Sequence, residues 1–252
     1  MAHNDMQDQS HNVASAIATP ADGTTAEGAG SIRFRAVGFD LDGTLLETAP
    51  DIARALNHAL GVAGLPALPY EDVRPMIGGG AKRLLASALA GKFGGRMPDD
   101  TLNPLYDVLL DHYRANIAVE TVPYPGLLPA LDRLAEAGVT LGVATNKLES
   151  LAVHLLEEVG IADRFACVIG GDTLGTANAK PRPDMLHELE RRCGGGPTAF
   201  VGDSIYDTGA ARAAGQPSVA VSFGYRTQPV AELGADAVID HFDSLWDALA
   251  AL

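Results

Sequence analysis

The chain has 252 residues, 47% of them hydrophobic, with 18 Lys and Arg against 32 Asp and Glu for a net charge of −14. That length supports one large domain or two small ones around a real core, and no uninterrupted apolar stretch approaches the roughly 20 residues of a membrane span. The acidic balance repels nucleic acid and anionic membranes, which demand basic patches, so any phosphorylated ligand must meet local cations or a metal ion.

Residues 1–31 are polar and small, without Lys or Arg. They lack the basic residues and apolar run of a targeting peptide and are expected to form a disordered tail. Residues 32–39 alternate in polarity and predict a strand. Side chains two apart on a strand face the same way, so Asp40 and Asp42 should project together where it ends. Gly43 permits a sharp turn there and Thr44 adds a hydroxyl. A calcium loop would need Gly and Glu where Leu45 and Asp51 stand, and a hairpin would need a second alternating strand where helix-forming residues follow. Carboxylates at such a rim can attack phosphorus, hold magnesium or carry a proton.

The stretch to residue 122 reads as all-helical, with helices over 51–60, 71–76, 81–89 and 101–118. Gly78, Gly79 and Gly80 lead into a helix start bearing Lys82 and Arg83. That is either an anion site at a helix N-terminus or a solvated face of ordinary charge. From Tyr124 onward helix and strand alternate. Helices are expected over 127–138, 148–160, 183–193, 207–215 and 245–252, and strands over 139–144, 166–169, 198–201, 218–221 and 237–239. This alternation predicts βαβ units and a parallel sheet with helices on both faces, the helical block being an insertion after the first strand. Cys167 and Cys193 form no CxxC or Cys–His pattern, so a reducing, cytoplasmic compartment is expected and neither reads as a reagent.

Parallel strands place their carboxyl ends on one edge, where open α/β sheets bind ligands. Asp40 and Asp42, Thr145 and Asn146, and Asp203 with Asp207 all follow strand ends, and Lys180 stands between the last two groups. Singly, Thr145–Asn146 or Asp203 could cap a helix, Asp207 could be a first-turn acid and Lys180 a loop lysine. Together they predict one crevice.

Asp40-Leu41-Asp42-Gly43-Thr44, Thr145-Asn146, Lys180-Pro181 and Gly202-Asp203-Ser204 with Asp207 resemble the motifs of the haloacid dehalogenase superfamily of phosphohydrolases. Ala49-Pro50-Asp51-Ile52, Ile77 to Ala81, Tyr124-Pro125-Gly126, Thr145-Asn146-Lys147 and Gly170 to Thr173 are similar to bacterial phosphoglycolate phosphatases. The resemblance spans residues 34–252 and implies an α/β fold. Its Rossmann-like core would take residues 32–46 and 123–252, with an inserted all-helical cap over 47–122. It implies Asp40 as nucleophile, Asp42 as general acid and base, and Thr145, Asn146 and Lys180 as phosphate ligands. Magnesium would bind Asp40, Asp42 through its main-chain carbonyl, Asp203, and Asp207 either directly or through water. Specificity would lie in the cap, with Gly79, Gly80, Lys82 and Arg83 suited to a carboxylate such as that of 2-phosphoglycolate. A small phosphorylated metabolite is the expected ligand of a monomer or homodimer. A sugar-phosphate phosphatase or pyrophosphatase, and outside enzymes a phospho-acceptor or ligand-binding module, are the alternatives. Glu47, Arg182 and the Ile205-Tyr206 pair depart from the usual pattern.

Overall fold

A computed structural model describes residues 31–93, 99–226 and 228–252. The expected tail lies outside them except for Ser31. The first strand, β1 (Ala36–Phe39), enters the site loop and is followed by a two-residue strand, β2 (Leu46–Glu47). Four helices come next: α1 (Ala49–Val62), α2 (Tyr70–Val73), α3 (Ala81–Phe93) and α4 (Asp99–Ala115). Strand β3 (Val122–Pro123) then pairs antiparallel with β2. That ribbon closes the two ends of the insert, whose described elements between them are all helical. Two residues are too few for an alternating pattern, so the pairing is visible only in three dimensions. The helix expected over 71–76 also divides, α2 passing into a 3-10 turn over Arg74–Met76. Pro75 lacks the N–H that an α-helix would use there.

The remainder alternates as α5 (Leu127–Glu136), β4 (Thr140–Ala144), α6 (Glu149–Glu158), β5 (Cys167–Ile169), α7 (Asp184–Arg192), β6 (Thr198–Gly202), α8 (Ile205–Ala214), β7 (Ser218–Val221), β8 (Ala237–Ile239) and α9 (Leu245–Ala251). Among the described residues six strands form one parallel sheet in the order β5-β4-β1-β6-β7-β8. β1 is therefore central, and β4 and β6, which also end in site residues, are its two neighbours.

The alternation along β1 sorts its two faces. Val37 and Phe39 join a core with Leu131 of α5, Leu155 of α6 and Leu249 of α9. Ala36 faces the other way, with Met185, Leu186 and Leu189 of α7 and Ala210 and Ala211 of α8. On that second face a Cβ at Gly38 would stand 2.7 Å from the Phe200 ring and 3.0 Å from Leu189, so the small residues admit the close approach of α7. Cys167 and Cys193 are free thiols whose Sγ atoms lie 3.8 Å apart, Cys193 buried and Cys167 half-buried.

Within the insert α1 packs along α4, and Leu56, Leu60, Leu109, Tyr113 and Ile117 share one apolar seam. Asp51, buried in the first turn of α1, accepts the backbone N–H groups of Glu120 and Thr121 and the Thr121 hydroxyl. The segment leaving the insert is thereby tied to the helix that enters it. Glu47 fastens the ribbon beside them: it accepts the hydroxyls of Tyr124 and Tyr225, each at 2.7 Å.

Candidate active site

Asp40 follows β1, Asp203 follows β6, and Asp207 lies in the first turn of α8. Their carboxylates offer oxygens within 4.8 Å of one another, and all three residues are buried. The turn after β1 permits this. Gly43 has φ +83°, and a Cβ there would stand 2.5 Å from Asp203 Oδ2. Asp207 Oδ2 accepts the Ser204 hydroxyl at 2.5 Å and the Ser204 N–H at 2.9 Å, while Tyr225 N donates to Asp203. Asp207 is thus the first-turn acid of α8 and closes a capping box with Ser204, which leaves its second oxygen, Oδ1, facing Lys180.

Lys180 donates to Asp40 Oδ1 at 2.8 Å, Asp207 Oδ1 at 2.6 Å and the Ala144 carbonyl at 2.7 Å, using the three N–H groups of its ammonium. Burial works against its charge, but Asp207 and Asp40 outweigh it and raise its pKa. Burial pushes Asp40 up to about 7, Lys180 opposing while Asp207 and Asp42 add to the rise. Burial also lifts Asp203 well above the carboxylate range, with Asp207 and Asp40 adding. Three buried carboxylates share one ammonium, so each resists ionisation of the others until more positive charge arrives. An all-oxygen donor set with that shortage of positive charge fits a hard divalent cation such as magnesium.

Residues 34–215 match the model of the haloacid dehalogenase-like hydrolases. The chain belongs to that hydrolase family. It is 44% identical over 215 residues to a phosphoglycolate phosphatase of Agrobacterium fabrum, covering 84% of this chain and 90% of that protein. It is 42% identical to one of Caulobacter vibrioides, covering 82% and 86%. A crystal structure described as a predicted phosphoglycolate phosphatase from Haemophilus somnus superposes with a TM-score of 0.78 at 30% identity, over 85% of this chain and 97% of the other.

In this haloacid dehalogenase-like hydrolase the Asp42 carboxylate turns away from the acidic triad. Its Oδ1 accepts the Thr48 hydroxyl at 2.7 Å and stands 3.0 Å from Lys147 Nζ. The two acids of the first motif therefore have separate environments, Asp40 with Lys180 and Asp42 with Lys147. Burial lowers the Lys147 ammonium, but Asp42 and then Tyr113 outweigh it, so its pKa is raised. Lys147 also donates to the Tyr113 hydroxyl at 3.1 Å, and Tyr113 comes from α4 of the insert.

A cavity of about 550 Å3 between sheet edge and insert is lined by Asp40, Asp42, Thr145, Asn146 and Lys180 from the core side. Thr145 Oγ1 accepts the Lys147 N–H at 3.2 Å, a local turn rather than a helix cap, because α6 begins later with Leu148 at its cap. Asn146 Nδ2 reaches the carbonyl oxygens of Gly78 and Lys180. Gly79, Gly80, Lys82 and Arg83 line the same cavity from the insert, with the Lys82 and Arg83 side chains exposed. The Arg83 guanidinium lies over the Tyr206 ring, so the unusual tyrosine at the start of α8 meets the insert loop and not the carboxylates.

Lys147 and Tyr113 are the residues that reading by pattern passed over. Lys147 had a signal, as it directly follows the Thr145-Asn146 pair at a strand end. Tyr113 had none, since at helical spacing from Leu109 and Ile117 a phenol reads as core. Among the described residues no helix is long and apolar enough to cross a membrane.

Proposed function

We propose that this chain is a magnesium-dependent phosphomonoester hydrolase acting on 2-phosphoglycolate through an aspartyl-phosphate on Asp40. The carrying observation is the division of the two acids, Asp40 beside Lys180 and the acidic triad, Asp42 beside Lys147 on the other side. That division supports assigning Asp40 to the phosphoryl group and Asp42 to the leaving oxygen. The names of the relatives support the choice of substrate.

Asp40 attacks phosphorus, a new Asp40–phosphorus bond forms, and the bond from phosphorus to the ester oxygen breaks. Asp42 gives its proton to the departing alkoxide, releasing glycolate. Asp42 then takes a proton from a water molecule, whose oxygen attacks phosphorus and frees Asp40. The Thr145 hydroxyl and the Asn146 main-chain N–H hold the phosphoryl oxygens, where charge concentrates in the transition state, and Lys180 joins them by turning one N–H away from its carboxylate partners. Asp40, Asp203, Asp207 and the Asp42 carbonyl would hold magnesium, which would supply the positive charge that a phosphate dianion needs in this acidic site. The insert, with Gly79, Gly80, Lys82 and Arg83 at its edge, excludes water while the first bond breaks.

Initial rates on a panel holding 2-phosphoglycolate, sugar phosphates and pyrophosphate test the reading. Hydrolysis is expected to require magnesium, to stop on chelation, and to favour 2-phosphoglycolate in kcat/KM by at least about tenfold, one unit of 1.4 kcal/mol. A sugar phosphate or pyrophosphate at the top would overturn the substrate, and full activity under chelation would overturn the metal.

A further inference from the structure

The insert carries exposed cations at its rim, Lys82 and Arg83, but the cation most deeply placed beside the leaving-group acid is Lys147. We infer that Lys147 Nζ and the Tyr113 hydroxyl form the pocket that binds the substrate's carboxylate, and so select a phosphorylated 2-hydroxy acid over other phosphomonoesters. The inference rests on the reading of the chain as a 2-phosphoglycolate phosphatase and assigns the atoms that distinguish this substrate.

Distance carries the first part of the argument. To protonate the ester oxygen, Asp42 must come within about 2.6–3.2 Å of it. Lys147 Nζ already stands 3.0 Å from Asp42 Oδ1. In 2-phosphoglycolate a single methylene separates that ester oxygen from the carboxylate. A substrate seated for protonation by Asp42 therefore brings its carboxylate to the neighbourhood of Lys147.

Unused donors carry the second part. The Lys147 ammonium has three N–H groups, and among the described residues Asp42 and Tyr113 take two of them. The Tyr113 oxygen accepts from Lys147, and no described group takes the phenol's own proton. One ammonium N–H and the phenol O–H thus lie side by side at the cavity with no acceptor among the described residues. Their burial gives them weight: the Lys147 side chain is 7% exposed and Tyr113 is 3% exposed. An ion pair there escapes the solvent screening that weakens one to the exposed Lys82 and Arg83. The ammonium also lies 4.5 Å from the centre of the Tyr113 ring, which fixes its position against the insert.

Because Tyr113 comes from α4 and Lys147 from the loop after β4, the pocket exists only while the insert is closed on the core. A carboxylate bridging the two groups would hold that closed arrangement. Ethyl phosphate, which has a methyl where 2-phosphoglycolate has its carboxylate, cannot do this.

The test compares kcat and KM for these two substrates on the magnesium-loaded full-length wild type and the variants Tyr113→Phe, Lys147→Met and Arg83→Ala. Tyr113→Phe keeps the ring and should raise KM for 2-phosphoglycolate about tenfold while changing ethyl phosphate less than about threefold. Lys147→Met should cut the preference for 2-phosphoglycolate over ethyl phosphate by about 100-fold, and Arg83→Ala should leave it within about threefold. Equal losses on both substrates in Tyr113→Phe and Lys147→Met would overturn the inference and leave the pair a support for Asp42. Loss of the preference in Arg83→Ala alone would move recognition to the rim and overturn it as well. If wild type prefers 2-phosphoglycolate and both pocket variants keep that preference, the inference falls and the substrate reading stands. If wild type shows no preference, both fall.

Discussion

Asn146 Nδ2 donates to the Gly78 carbonyl oxygen at 3.0 Å, so a residue at the end of a central strand holds the loop of the helical insert. The same nitrogen donates to the Lys180 carbonyl at 3.1 Å, which joins that loop to the segment carrying the buried lysine. Asn146→Ala should lower kcat/KM for 2-phosphoglycolate by about 10- to 100-fold, the worth of one or two such bonds at about 1.4 kcal/mol per decade. Thermal unfolding should hardly change, because Asn146 is only half-buried. Steady-state kinetics within twofold of wild type would show that the bond has no part in the productive arrangement.

Gly80 supports the same contact from the other side. Its φ is +87°, and a Cβ would stand 3.2 Å from the Asn146 backbone oxygen. In Gly80→Ala the left-handed conformation costs about 1–2 kcal/mol, and the loop gains by moving off the core. The expected result is a kcat/KM reduced about tenfold, read from initial rates, with a melting temperature lowered by only a few degrees. Wild-type kinetics would mean that the loop need not approach the core this closely.

Asp51 is a stability residue and not a catalytic one. Its carboxylate takes two backbone N–H groups and a hydroxyl at the exit of the insert. Asp51→Ala leaves these donors buried without an acceptor, a loss of about 2–4 kcal/mol, which lowers the melting temperature by roughly 5–15 °C in a chain of this size. Calorimetry reads it directly, and a shift under two degrees would show that water replaces the carboxylate.

Legibility followed the length of the signal. The strand-end residues Asp40, Thr145 and Asp203 could be placed on one edge because each follows a buried run long enough to show its period. The central position of β1 between β4 and β6 could not, since periodicity carries no strand order. The β2–β3 ribbon was invisible for its shortness, and with it the reason for Glu47, whose carboxylate reaches the hydroxyls of Tyr70, Tyr124 and Tyr225. The site was half legible for a different reason. A carboxylate or lysine in an apolar setting announces chemistry, whereas Tyr113 on an apolar helix face looks like packing until Lys147 is found against its hydroxyl.

Asp42 should matter in proportion to the basicity of the leaving oxygen. Asp42→Asn removes the transferable proton but keeps the size of the side chain. Hydrolysis of an aryl phosphate should fall less than about tenfold, while hydrolysis of 2-phosphoglycolate falls by about 100-fold or more. Equal losses on the two substrates would assign the proton to another group.

The covalent role of Asp40 is the centre of the account, and an acid-quenched reaction reads it most directly. Wild type mixed with magnesium and radiolabelled 2-phosphoglycolate, stopped within a turnover and digested, should yield a labelled acyl phosphate on the peptide containing Asp40. Asp40→Asn should yield no label and no turnover while melting as a folded protein. Label on any other residue, or turnover by Asp40→Asn near the wild-type rate, would contradict it.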